Sequence, residues 1–300
     1  MDAASRRFRI TDIFYIVMMI LPLAFAVVLK ILTNVPSEGI SISGARIFFT
    51  IPMPIQDFPI TESQVNSLMV LITIFFFCRF ITHGISERVV LKRQHLAEWA
   101  VEKVDALVNE NMGEYFKGYS PFIISILALS AFSSLLSLLG LFPPTSDINI
   151  VAGWAILVFI LITYYKLKCG PMYYIKGFLE PVPILAPINF ISEFATPVSM
   201  SFRHYGNVLS GTVVSTLVAA ALGGLSTMLL GSLPGFLADI PLFQIGLPAV
   251  LSVYFDLFSG CLQAFIFAML TMLNISGAFP AEEYERRRMI ENAKNKKVNN

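Results

Sequence analysis

Apolar runs of about twenty residues recur along this chain, and that feature removes most of the folds otherwise open to it. A helix of that length crosses the ~30 Å hydrocarbon core of a bilayer, where every backbone N–H and C=O must be satisfied within the protein. Only helices and closed barrels meet that condition. None of the runs alternates polar and apolar residues as a barrel strand does, so the sequence predicts an all-α, polytopic membrane helix bundle. Composition agrees, with 56% hydrophobic residues, 14% charged residues and a mean hydropathy of +0.71. A formal net charge of +1 gives no basic surface for nucleic acid. Cys78, Cys169 and Cys261 are widely separated and form no CxxC pair, so they read as structural thiols with neither a disulfide framework nor a metal site.

Arg6, Arg7 and Arg9 precede an apolar run from Ile13 to Leu32 that is interrupted by Pro22, which predicts a cytoplasmic N-terminus and an outward crossing. The competing reading is a secretory signal peptide cut after Ala24-Phe25-Ala26; the run continues past that site, which argues against it. Residues 34–62, rich in Pro, Gly, Ser and Ile, form an outside loop with a short hairpin expected around Ile40 to Thr50. The chain returns inward from Gln64 to Ile85, with Arg79 and His83 snorkelling at its end. Ser86 to Lys117 mixes charges with Val89, Leu96, Ala100, Val104, Leu107 and Val108 at helical spacing. That predicts an amphipathic cytoplasmic helix, lying on the bilayer or docking a partner.

Tyr119 to Phe142 crosses outward, and its Ser125, Ser130, Ser133, Ser134 and Ser137 permit close helix packing. Pro143 and Pro144 end it, and Asp147 caps the next helix, with gathering of ions at the outside surface as its alternative role. Ile150 to Leu167 returns to Lys166 and Lys168, and Cys169 to Pro187 forms an interfacial connector. Two longer segments follow, Ile188 to Leu230 and Leu242 to Ala278, joined by GSLPGFLADIP. Each exceeds a perpendicular span and is expected to tilt or bend. The charged tail is expected to be cytoplasmic and solvated, so both termini lie inside and the crossings number about six. The organisation is residues 1–62 as an N-terminal helix and loop, 63–280 as the membrane domain and 281–300 as the tail.

The polar residues of the last two segments carry the chemistry. In TPVSMSFRHYGNVLSG, Arg203 is flanked by Ser199, Ser201, His204 and Asn207. At 100° per residue, Ser199, Arg203, Asn207 and Ser210 form one stripe, whereas Thr212 points to nearly the opposite side. On the last helix Asp256 and Gln263 are seven apart and share a face. A charge in hydrocarbon costs on the order of 2.5 to 3.5 kcal/mol on insertion scales, so Arg203 needs a partner or an aqueous cavity. Arg203 and Asp256 are then each other's structural counter-ion or parts of an ion path, and spacing does not separate the two. Asn207 and Gln263 equally fit interhelical hydrogen bonding.

P-V-S-M-S-F-R-H-Y-G-N-V-L-S-G resembles the arginine motif of subunit a of bacterial F-type ATP synthases, whose usual form is Arg-Leu-Phe-Gly-Asn after a proline and Ser-Leu. C-L-Q-A-F-I-F-A-M-L-T resembles that subunit's last helix, and P-T-S-D-I-N-I its outside turn. The resemblance spans residues 62 to 280, and the first helix looks like an extension found in some members. It implies an ion-translocating stator in the cell membrane that provides two offset half-channels against a rotating ring of subunit c. The implied partners are that ring, the peripheral-stalk subunit b, the F1 sector through the stalks, membrane lipid, and H+ or Na+ as the translocated ion. Arg203 corresponds to the family arginine that faces the ring carboxylate, Gln263 to its neighbouring glutamine and Asn207 to the asparagine one turn later. Asp256 falls where members carry a histidine or an acid, which implies an ion relay. Glu193 resembles an acid of some members, and Ser199 and Thr212 are further half-channel candidates. The family commonly has an acid or a histidine where Thr212 stands.

The chain has no Walker A loop, no HExxH and no other nucleotide or metal motif, so neither cofactor nor metal is expected and ATP chemistry falls to other subunits. Two rival classes make different demands. A self-contained secondary transporter would take up substrate alone, yet the chain lacks the two-fold repeat common in such folds. A structural anchor with Arg203 paired to Asp256 would lose stability, not ion flux, on removal of those charges.

Overall fold

A computed structural model of the chain describes residues 3–33, 44–54, 56–85, 92–179, 182–230 and 246–298. Among them, six helices are long and apolar enough to cross a membrane. The first, α1 (Ala3–Leu32), runs unbroken through Pro22. Proline removes one ladder bond, but α1 is held along α2 (Glu62–Thr82), where Thr73 Oγ1 donates to the Met19 carbonyl at 3.3 Å. Ala26 is buried with Val70, Leu136 and Leu141. The chain beyond Ala24-Phe25-Ala26 is therefore packed helix.

Between them lies a hairpin of β1 (Ile47–Ile51) and β2 (Phe58–Thr61), antiparallel. The hairpin expected around residues 40 to 50 thus forms further along, and residues 40–43 lie outside the described ones. Thr61 and Gln64 form a capping box that starts α2 where the strand ends.

The amphipathic segment is α3 (Lys92–Met112), with Val89 outside the described residues. Its second half docks: Val108 and Met112 are buried, with Val104 and Leu107 packed beside them, whereas Leu96 and Trp99 remain exposed. After a 3-10 turn at Glu114–Tyr119, α4 (Ser120–Leu135) continues as a second such turn to Leu139 and closes on Gly140, which takes the left-handed conformation at φ 70°. The helix therefore ends before the prolines and not at them. Asp147 caps α5 (Ile148–Leu167), accepting from the Asn149 N–H at 3.0 Å and from the Ser63 hydroxyl. That is the capping role expected of it.

The connector folds as α6 (Pro171–Leu179) and a turn at Pro183–Leu185 that leads into α7 (Ala186–Leu230), a helix of 45 residues. GSLPGFLADIP lies outside the described residues. The last long segment is α8 (Leu247–Ser252), a π-helical turn at Val253–Ser259 and α9 (Gly260–Ala278). Its i→i+5 pattern changes the twist over the first three of the seven steps from Asp256 to Gln263. The tail forms α10 (Ala281–Val298) and is not simply solvated: Ala281 and Tyr284 pack on the core, and Arg287 donates to the Cys169 carbonyl.

The main core joins α3, α4, α5, α7 and α9 through Val108, Ile123, Val158, Met200, Phe267 and Met272. Ser130, Ser133 and Ser134 of α4 are buried in it, as close packing requires. A Cβ placed on Gly260 would lie 2.8 Å from Ser134 Cβ, so only glycine allows α9 this near to α4. One placed on Gly211 would lie 3.1 Å from the Phe255 ring, which brings α7 as close to the π turn.

Candidate functional site: a lateral arginine between two cavities

The inward face of α7 carries Met200, Ser201 and His204, all buried. His204 has edge contacts with Trp154 of α5 and Phe267 of α9, with ring centroids 6.1 and 5.5 Å apart, and its Nε2 lies 3.3 Å from Ser130 Oγ of α4. Turning 100° to the next residue back brings Arg203 to the opposite condition. Its side chain is exposed on the flank of the chain, as is Ser199, and among the described residues it forms no ion pair. Phe194, Val198 and Phe202 are exposed on the same helix, and Phe258 and Leu262 on the last segment. The helix that carries the cation thus also exposes apolar side chains on its other outward faces.

Asn207 turns further inward. Its Nδ2 donates to Ser259 Oγ at 2.8 Å, and the Ser259 hydroxyl lies 3.1 Å from Asn207 Oδ1, which ties α7 to the end of the π turn. Gln263 is buried in α9. Asp256, in the middle of the π turn, accepts from the Ser252 hydroxyl and does not pair with Arg203. The internal counter-ion arrangement left open by the spacing is absent among the described residues.

Two sets of polar cavities lie at opposite ends of the bundle. At the hairpin end, one of about 330 Å³ is lined by Asp256, Thr212, Ser215, Thr216, Glu62 and Arg46, among others. Thr212 and Asp256 are therefore brought together, although the Thr212 hydroxyl is committed to the Val208 carbonyl at 3.0 Å. At the end carrying α3 and α10, two adjoining cavities of about 290 and 320 Å³ share Lys166, Asn189, Glu193, Gly277 and Ala278. There Lys166 Nζ donates to both Glu193 carboxylate oxygens, at 2.6 and 2.8 Å. Along α7, Glu193 is ten residues before Arg203 and Thr212 nine after it, so each end lies roughly 14 or 15 Å from the arginine at 1.5 Å per residue. Arg203 sits midway.

Sequence reasoning missed Lys166, which read as a surface anchor, and missed Ser252, Ser259 and the Ser130 to His204 link. Each depends on a neighbour in another helix or on the π turn, so spacing carried no signal for it.

Among the described residues the chain is thus a helical membrane bundle of six candidate spans, with an exposed guanidinium at mid-helix and cavities toward each end. The family is settled by comparison with known proteins. Residues 65–276 match the model of the ATP synthase A chain family. The sodium-ion-specific ATP synthase subunit a of Propionigenium modestum is 28% identical over 275 residues, covering 81% of this chain and 88% of its own length. ATP synthase subunit a of Priestia megaterium is 32% identical over 234 residues, covering 72% of this chain and 92% of its own. The chain belongs to the ATP synthase A chain family, the non-catalytic, ion-translocating stator subunit of the membrane sector Fo, and works within the ATP synthase complex.

Proposed function

We propose that Arg203 is the residue at which this stator meets a rotating ring of subunit c, and that the two cavity systems are the ends of two half-channels. The observation that carries this reading is the placement of Arg203: exposed on the flank, unpaired among the described residues, and midway between polar cavities at opposite ends of α7. A guanidinium cannot lose its proton in a protein. At 4 Å and an effective dielectric near 20 it attracts a carboxylate by ~4 kcal/mol, several times thermal energy. It therefore favours the ion-free form of a ring carboxylate as that group passes, and it repels a cation trying to cross directly between the half-channels. An ion must then board the ring from one half-channel and leave into the other, which couples its flow to rotation.

In this reading Asp256 is the titratable relay of the outer half-channel, with Thr212 on its wall, and Glu193 belongs to the inner one. Ser199 shares the ring-facing flank with Arg203, Asn207 fixes α7 against the π turn, and Gln263 supports the arginine from α9. The subunit acts in a bacterial cell membrane with both termini in the cytoplasm, where α3 and α10 meet stalk subunit b. It carries no ATP chemistry itself; that falls to F1. The ion is H+ or Na+, and the sodium-specific relative keeps both open.

Arg203→Ala tests the proposal in membranes containing the whole complex. The expected result is loss of coupled ATP synthesis with the complex still assembled; undiminished synthesis overturns it.

A further inference from the structure

The two inner cavities share a charged pair, Lys166 and Glu193, of which the resemblance pointed to the acid alone. Lys166, in the last turn of α5, reaches Glu193 of α7 and donates to both carboxylate oxygens, at 2.6 and 2.8 Å. The Glu193 side chain is 9% exposed and that of Lys166 32%. On one side of the pair the cavity runs to α6, along Tyr173, Tyr174 and Phe178. On the other it runs deeper, along Ser192, Thr196 and Asn274, in the direction of Arg203. The pair is part of the wall of both.

Two further features concentrate on this carboxylate. The Tyr174 hydroxyl is pushed above its usual range, by burial first and then by the charge of Glu193 and a hydrogen bond to it. Pro197 has no N–H, so the Glu193 carbonyl is released from the helix ladder four residues earlier. Groups from α5, α6 and α7 thus converge on one acid at the boundary. A lysine is an unusual lining for a cation path, because its ammonium repels the ion that must pass. Here it is neutralised only while it holds Glu193.

We propose that Lys166 is a positioning residue of the inner half-channel: it clasps Glu193 across the boundary between the two cavities and closes the open water route between them. An ion then reaches the deeper cavity by exchange at the Glu193 carboxylate when the clasp opens, and not by free diffusion. Breaking one partner of a desolvated ion pair leaves the other charge to be hydrated, so loss of Lys166 admits water to the boundary. The inference rests on the assignment of these cavities to the inner half-channel.

The test uses the whole ATP synthase in membrane vesicles, with Cys78, Cys169 and Cys261 replaced by Ser and Thr196→Cys introduced as a reporter in the deeper cavity. A membrane-impermeant cationic methanethiosulfonate is applied from the cytoplasmic side. With Lys166→Gln, modification of the reporter is expected to be about tenfold faster, a half-buried ion pair lying between exposed and fully buried ones in strength. Lys166→Arg is expected to restore the slow rate. If Lys166→Gln does not assemble, the exchange K166E/E193K decides: slow labelling supports the clasp and fast labelling overturns it. An unchanged rate in Lys166→Gln, with the reporter still reached from the cytoplasmic side, overturns this proposal alone. A reporter reached only from the opposite side overturns the inner half-channel assignment as well.

Discussion

Arg203 and His204 are consecutive residues with opposite surroundings. His204 is fully buried between Trp154, Phe267 and Ser130, in the middle of the main core, whereas Arg203 stands exposed on the flank of α7 with Ser199. A rotation of 100° separates a side chain that the chain satisfies itself from one that it leaves for something else. The difference teaches that the direction of a membrane charge says more than its presence. An inward arginine would have needed an internal counter-ion, and Asp256 was the candidate. An outward one makes the flank of α7 a surface whose counter-charge belongs to a partner.

The strongest way to break this contrast is to move the charge across it. His204→Arg places a cation in a site with no exposure and no acid among its contacts, where an unpaired buried charge costs several kcal/mol. The expected outcome is loss of assembled Fo, read as subunit content of purified complex. A normally assembled complex would show that the inward face of α7 tolerates charge and that the contrast is accidental. Asp256→Asn asks instead whether the relay lies apart from Arg203. Removing its titratable group is expected to lower ATP-driven ion uptake by vesicles roughly a hundredfold, the smaller end of what a proton-transfer group contributes. The Asn variant keeps the acceptor of the Ser252 hydroxyl, so assembly is expected to survive. Normal uptake refutes the relay.

The depth of the His204 pocket depends on how near α9 comes to α4. Gly260→Val forces a side chain into a space where the first added carbon would already meet Ser134 Cβ at 2.8 Å. Overpacking of this kind costs about 1–3 kcal/mol. A lowered midpoint of thermal unfolding in detergent is expected, and an unchanged one would mean that the two helices separate freely.

How far the sequence anticipated this arrangement depended on the range of the cause. The six spans were legible because the length of an apolar run is fixed by the bilayer, and the Asp147 cap because its bond to the Asn149 N–H is made within two residues. The stripe of Ser199, Arg203 and Asn207 was legible from the helical repeat. Its direction was not, since spacing says which residues share a face and nothing about which neighbour the face meets. The π turn around Asp256 carries no distinctive residue, so the change of twist between Asp256 and Gln263 was not legible. Lys166 looked like any basic residue at a helix end, because the partner that gives it meaning lies on α7. The docking of α10 through Tyr284 and Arg287 was hidden in the same way behind a composition that reads as solvated.

The smallest expected effect concerns Asn207, which lies on the stripe between the two faces. Its amide is bonded to Ser259 at 2.8 Å, and this is the only direct polar link between described residues of α7 and the π turn that carries Asp256. Interhelical hydrogen bonds in membranes average about 0.6 kcal/mol, because the separated helices find other partners. Asn207→Leu should therefore shift thermal unfolding slightly and leave the complex assembled. If Asn207 acts only through this bond, Ser259→Ala is expected to reproduce its effect on ATP synthesis, and the double variant to be no worse than either single one. A double variant with clearly additive loss would instead place Asn207 in direct contact with the ion path or the ring, on the same side of the contrast as Arg203.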